Sequence, residues 1–244
     1  MIVNVRPLGG PTALIEYGSL RLLTDPTFDA PGDYPLPDGR FLTKTTPPLA
    51  SAADLGRLDV VLLSHDQHAD NLDHAGRALL GDVPLTLTTR EGAARLGGSV
   101  RGLAPWEEVT LEGDVVVTAV PARHGPEGAE AALGEVTGFV LTGQDLPTVY
   151  VSGDNASLEL VTQIAERFGP VDVAVLFAGA VRTVYFDGSL LTLDSAQAAE
   201  AATILGARRI VPVHYEGWGH FTEGFATLRG AYEAAGLGDR VQWK

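Results

Sequence analysis

The chain has 244 residues, 45% of them hydrophobic, with 17 basic against 31 acidic side chains and a formal net charge of −14. That length buries one large core without staples, and the acidic balance, with no run of Lys or Arg, argues against a nucleic-acid partner. Cysteine is absent, which removes disulfides, thiolate sites and cysteine nucleophiles, so any metal must be held by imidazole and carboxylate.

The opening Met1-Ile2-Val3-Asn4-Val5 has no basic segment leading into a long apolar stretch, and no apolar run is long enough to span a bilayer. A cytoplasmic protein without a membrane partner is the expectation. Short Val-, Ile- and Leu-rich runs bounded by Gly, Pro and Asp predict strands near 2–6, 12–17, 20–24, 59–64, 84–88, 114–120, 135–142, 147–152, 171–177 and 209–213. Helical patterns fall near 72–80, 90–96, 157–168, 194–205 and 222–235, with Thr89, Ser157 and Thr192 or Asp194 as caps. Strands come first as a meander and then alternate with helices, which suggests two packed sheets covered by helices in one domain, 1–244. The proline-rich stretch 26–51, with Phe28, Tyr34 and Phe41, breaks this rhythm and reads as a long loop, either functional or packed on the sheet.

The strongest local signal is Ser64-His65-Asp66-Gln67-His68-Ala69-Asp70-Asn71-Leu72-Asp73, which follows the apolar strand Val60-Val61-Leu62-Leu63 and precedes a helix. Imidazoles and carboxylates thus gather at the carboxyl end of a strand, where α/β proteins place ligands. The chain has only six histidines. His124 and His214 also stand just past predicted strands, as does Asp154 in Val149-Tyr150-Val151-Ser152-Gly153-Asp154. Neutral imidazole with carboxylate suits zinc, manganese or iron.

The run from Ser64 to Asp73 resembles the H-x-H-x-D-H signature of the metallo-β-lactamase superfamily, and the later His, Gly-Asp and His follow in that family's order. Leu23-Thr24-Asp25-Pro26, Pro121-Ala122-Arg123-His124 and Val213-His214-Tyr215 look like the branch of ascorbate-6-phosphate lactonase-like hydrolases. The resemblance implies an α/β fold, a four-layer αββα sandwich, with one or two divalent metals at the sheet edges, zinc first and manganese or iron as alternatives. By it His65, His68 and His124 hold one metal, Asp70 and His214 another, and Asp154 bridges them. A metal-activated water would then attack a small-molecule lactone, ester, amide or phosphoester, with Asp70 orienting it and carrying its proton.

Two departures leave alternatives open. The segment has one residue more than the signature, so either the turn bulges and both His65 and His68 still converge, or Asp66 fills the first ligand position. Asn71 stands where the family has its last His, and a neutral amide oxygen is a weak zinc ligand. The alternatives are a second site that is weak, empty or filled by a metal such as manganese, or one completed by His220, which in the glycine-rich Glu216-Gly217-Trp218-Gly219-His220 reads equally as a surface residue. Asp25 and Asp73 are expected to orient ligands. Trp106, Tyr185, Phe186 and Trp218 lie in loops that can line a pocket, and Arg123 or Arg182 can read a substrate carboxylate or phosphate. A single-iron redox enzyme or a non-catalytic binding descendant remain the competing functions. Proteins of this fold often assemble, so a homo-oligomer is compatible with the chain.

Overall fold

The computed structural model describes residues 3–36 and 38–243; Met1, Ile2, Pro37 and Lys244 lie outside the described residues, and with them the first position of the expected strand 2–6. The chain begins as the meander β1 (Asn4–Gly9), β2 (Thr12–Tyr17) and β3 (Leu20–Thr24). A hairpin, β4 (Gly32–Pro35) and β5 (Phe41–Lys44), then leaves the sheet. The chain returns as β6 (Val60–Leu62), β7 (Leu85–Thr89) and β8 (Val100–Leu103), joined by α1 (His74–Leu79) and α2 (Arg90–Leu96). These strands form one sheet in the order β1-β2-β3-β6-β7-β8, parallel from β3 onward.

The second sheet holds β9 (Glu108–Thr110), β10 (Val116–Pro121), β11 (Thr137–Gly143), β12 (Leu146–Val151), β13 (Val173–Phe177) and β14 (Arg209–Val213), in the order β14-β13-β12-β11-β10-β9. A short α3 (Glu130–Leu133) precedes β11, while α4 (Leu158–Phe168) and α5 (Ser195–Ile204) make the parallel crossovers and α6 (Phe225–Ala234) follows β14.

Alternation of side chains across the strands sorts the apolar residues into layers. In β13, Val173, Val175 and Phe177 enter a core shared with Val5, Ile15, Leu22 and Leu62 of the first sheet. Ala174 and Leu176 face the other way, onto Val161 and Ile164 of α4, Ala198 and Ala202 of α5, and Leu228 and Tyr232 of α6. The outer face of the first sheet, with Leu14, Leu23, Val61 and Leu63, packs under Leu72 and Leu80 around α1. Both faces of the parallel strands are covered, which is why they read as unbroken apolar runs. The result is the four-layer αββα sandwich.

Strand direction decides where the chemistry falls. β11 is antiparallel to both neighbours, so β10 and β12 point the same way, and β13 and β14 continue parallel to β12. The carboxyl ends of β10, β12 and β14 therefore share one edge, and those of β3 and β6 share the corresponding edge of the first sheet. The two edges are tied directly: the Thr137 N–H donates to the Ser64 carbonyl at 3.1 Å, and the His214 N–H to that of Gly10 at 2.7 Å. The stretch 26–51, expected as a loop, contains the hairpin; its strands are only four residues each, too short for alternation to show. For the same reason β8, β9 and α3 escape the sequence pattern. Among the described residues, no helix is long and apolar enough to cross a membrane.

Candidate metal centre

The floor of the site is organised by Asp25, one residue past β3. It is 1% exposed and sits at φ 26°, a backbone region that costs a non-glycine residue about 1–2 kcal/mol and persists only where the surroundings hold it. Its carboxylate accepts from the Ser64 N–H and the Ser64 hydroxyl, both at 2.6 Å, and from the Asn71 amide at 3.0 Å. The Ser64 oxygen lies 2.9 Å from Nδ1 of His65. Because the hydroxyl proton goes to Asp25, the ring must donate from Nδ1, which leaves the Nε2 lone pair facing the site. Burial raises the Asp25 carboxyl to about 7, against the pull of the Ser64 and Asn71 hydrogen bonds.

The turn after β6 brings the two imidazoles of the motif together, with His65 Nε2 2.8 Å from His68 Nδ1. His124, past the end of β10, places its Nδ1 2.9 Å from the Leu191 carbonyl, which orients the ring and frees Nε2. Burial pushes His65 well below the usual imidazole value and His124 to about 4, so both rings are neutral with lone pairs available at pH 7. Asp154 follows Gly153, and only glycine fits before it: φ is 58°, and a Cβ would lie 2.6 Å from the Thr137 carbonyl oxygen. One ligand atom from each of His65, His68, His124 and Asp154 falls within 4.8 Å of the others.

A second group overlaps the first through Asp154. His214, at φ 57° directly after β14, sets Nε2 3.2 Å from Asp70 Oδ2 and 3.6 Å from Asp154 Oδ1, and the three residues form another candidate ligand set. His220 Nε2 lies 2.9 Å from the same Asp70 oxygen. Burial would raise the Asp70 carboxyl, but the charge of His220 and hydrogen bonds from His214 and His220 hold it well below the usual carboxylate range. Burial would lower His214, but Asp154 and then Asp70 outweigh it and raise the ring.

The donor set fits divalent cations. Asp25, Asp70 and Asp154 are buried, yet among the described residues no Lys or Arg pairs with any of them. Buried carboxylates whose only cationic partners among the described residues are histidines, gathered with the neutral rings of His65 and His124, suit a bound cation. Zinc, manganese and iron all accept such nitrogen and oxygen ligands.

The other sequence-predicted residues lie differently. Asp66 turns away from the cluster, its carboxylate held by Arg95 at 2.6 Å, so it does not fill the first ligand position. Asn71 presents its amide nitrogen to Asp25 at 3.0 Å and to Asp154 at 3.3 Å, while its amide oxygen is buried without a hydrogen-bond partner. Asp73 caps α1 through the Gly76 N–H at 2.8 Å and pairs with buried Lys44 at 2.9 Å; it touches none of the cluster. Arg123 points to Glu159 at 3.6 Å, and Trp218 is buried against Tyr34 and Lys44. Neither lines the pocket. Trp106 stacks under Arg167 on the helix side of the second sheet.

The pocket above the cluster has a volume of about 560 Å³. His68, Asp70, His124, Asp154 and His220 form its base. Its walls come from the β4–β5 hairpin, with Leu36, Arg40, Phe41 and Leu42, and from the loop before α5, with Val181, Arg182, Tyr185 and Leu191. Tyr185 donates its hydroxyl to Asp38 of the hairpin at 2.5 Å, closing the two walls over one side. Sequence reasoning did not single out Ser64, Asp38 or Arg40. Only Ser64 carried a signal, its place beside the motif histidine.

Comparison with known proteins agrees with this architecture. The Beta-lactamase superfamily domain matches residues 20–215. A metal-dependent hydrolase of Pelotomaculum thermopropionicum is 31% identical over 245 aligned positions, covering 96% of this chain and 93% of its own. One from Pyrococcus abyssi is 27% identical over 221 residues, covering 89% and 86%. The solved structure of the isothiocyanate hydrolase from Delia radicum gut bacteria superposes with a TM-score of 0.83 at 22% identity, over 97% of this chain and 94% of that one, which shows a shared fold. The domain match over residues 20–215 and the 31%-identical relative place the chain: it belongs to the beta-lactamase superfamily and has the metallo-β-lactamase fold.

Proposed function

We propose that the chain is a metal-dependent hydrolase of small molecules, with His65, His68, His124 and Asp154 holding one divalent metal and Asp70, Asp154 and His214 a second. Two overlapping ligand groups that share Asp154 at the base of an open pocket carry the reading. A divalent metal there lowers the pKa of water toward neutrality and polarises a carbonyl or phosphoryl oxygen. Zinc comes first for an imidazole-rich set, with manganese or iron as alternatives.

The chain's own groups do the rest. Asp70, kept ionised by its two histidines, accepts the proton of the attacking water and delivers it to the leaving group. Asp25 fixes His65 through Ser64 and Asp154 through Asn71, so the ligands need little reorganisation. Leu36, Phe41, Leu42, Val181 and Leu191 offer the substrate an apolar wall and exclude water. Arg182 faces the same pocket and, among the described residues, has no carboxylate partner; its NH1 reaches the Gly188 carbonyl at 2.9 Å. It suits a substrate carboxylate or phosphate. The substrate class is therefore a lactone, ester, amide or phosphoester with an apolar body and an anionic group.

The test compares metal-loaded and chelator-stripped protein on a panel of these four classes, lactones first. Turnover of at least one class by the loaded protein alone is expected. Metal binding with no turnover would leave a binding protein, and iron with a redox-active spectrum and no hydrolysis would leave a redox enzyme.

A further inference from the structure

The family signature ends in a histidine, and this chain has Asn71 there instead. Asn71 is fully buried, its amide nitrogen is engaged by Asp25 and Asp154, and its amide oxygen is buried without a partner, so it supplies no imidazole and at most a neutral oxygen, a weak donor for zinc. The second ligand group is left with two carboxylates and one ring, His214.

A second ring reaches the same point from a different part of the chain. His220 and His214 set their Nε2 atoms 2.9 and 3.2 Å from one oxygen of Asp70. Both ring nitrogens lie within hydrogen-bonding distance of one carboxylate oxygen, so two imidazoles and a carboxylate, donors that a divalent transition metal accepts, are already gathered beside the three-residue group. The Nδ1 atoms of both rings are buried without a partner, so no hydrogen bond there accounts for the placement of either ring.

The loop that carries His220 is built to hold it. From His214 the chain runs out through Glu216 and Gly217 and doubles back. Gly217 takes φ 92°, where a Cβ would press to 3.0 Å from Thr46 Oγ1. The Thr45 N–H donates to the Gly217 carbonyl and the Gly219 N–H to that of Thr43, both at 2.8 Å, which docks the loop on β5. Trp218 is wedged against Tyr34, with ring centroids 5.3 Å apart, and under the Lys44 ammonium. Phe221 then packs on both imidazoles, its centroid 4.4 Å from that of His214 and 4.7 Å from that of His220. His220 is thus positioned at the base of the pocket by packing on both sides of it.

We propose that His220 is the imidazole ligand that completes the second metal position with Asp70, Asp154 and His214, in place of the ring that Asn71 does not supply. The proposal rests on the metal-hydrolase reading above. It assigns this site a divalent transition metal with two nitrogen ligands rather than a hard cation held by oxygen alone.

Stripped protein titrated with zinc(II), and separately with cobalt(II), tests this by stoichiometry and by the cobalt absorption spectrum, neither of which requires turnover. The wild type is expected to bind two equivalents. His220→Ala is expected to keep the first and to bind the second at least about tenfold more weakly, with a changed cobalt band. His220→Asp, which restores a donor, should recover the second equivalent, and His220→Asn serves as the near-isosteric loss variant if the alanine chain does not fold. His74→Ala, which alters a histidine outside the cluster, should bind both as the wild type does. One equivalent in the wild type, or a second equivalent weakened less than about tenfold in both His220→Ala and His220→Asn, overturns the assignment and leaves the hydrolase reading standing. No metal in the wild type fails the hydrolase reading itself.

Discussion

The base of the pocket and its walls are held by different kinds of interaction. At the base, Asp25, Ser64, Asn71, Asp154 and His214 are each 2% exposed or less, and their side chains are tied to one another across two sheets. Along the walls, the contacts between the hairpin and the loop before α5 lie in solvent: Tyr185 is 63% exposed and Phe41 58%, joined through Asp38 and Arg40. Buried polar networks are rigid because breaking one leaves an unpaired group in low dielectric, whereas exposed pairs exchange readily with water. The contrast teaches that ligand geometry is fixed by a buried polar network, while substrate fit is left to exposed side chains on the hairpin and the loop before α5.

The predictions probe that division from the base outward. Asp154→Ala removes the carboxylate common to both ligand groups, and should abolish metal retention and cut kcat/KM by about 1000-fold or more. Metal analysis with kinetics on the best substrate of the panel checks it.

Acid should unfold the stripped protein through the same buried rings. The folded pKa of His124, about 4, lies below its ordinary value of 6.5. Between those values the unfolded chain binds a proton that the folded chain refuses, so this contribution is whole above pH 6.5 and lost as pH falls toward 4. Its size is about 3 kcal/mol. His214, raised by Asp154 and Asp70 despite its burial, works in the opposite direction. The difference between the wild type and His124→Gln in denaturant titrations from pH 7 to 4 therefore isolates the effect, and a pH slope unchanged in the variant would contradict it.

Asp25→Ala leaves Ser64 without its acceptor and Asn71 with Asp154 alone, and should weaken metal binding by about 10–100-fold, without removing a ligand. Equal metal affinity in the variant, measured by competition with a chelator, would mean that the network under His65 and Asp154 is not what orients them. Smallest is the effect at the walls. Arg182→Ala should raise KM for an anionic substrate about tenfold, leave kcat nearly unchanged, and spare a neutral analogue.

The legible part of the site was the part written at strand ends. His65, His124, Asp154 and His214 each follow an apolar run with a Gly, Pro or Ser before them, so position and chemistry coincide in the sequence. The walls were hidden because their strands are four residues long and their partners are far apart: Asp38 meets Tyr185 across 147 positions. Neighbours in sequence also misled. Arg123 adjoins His124 but turns to Glu159, and Asp66 adjoins His65 but is drawn off by Arg95, 29 residues away. Asp73 looked like a ligand-orienting carboxylate, and the short helix it caps accounts for it. Side-chain direction in a turn depends on such distant contacts, which a pattern of spacing does not contain.

The central claim is that the fold holds metal at Asp154 between the two sheets. Crystals of protein purified without an affinity column or added metal, measured on both sides of the absorption edges of zinc, manganese and iron, test it most directly. The account predicts an anomalous peak bounded by His65, His68, His124 and Asp154, with a second beside Asp70 and His214. An anomalous map with no peak between the sheets, both in those crystals and after soaking with zinc, would contradict it.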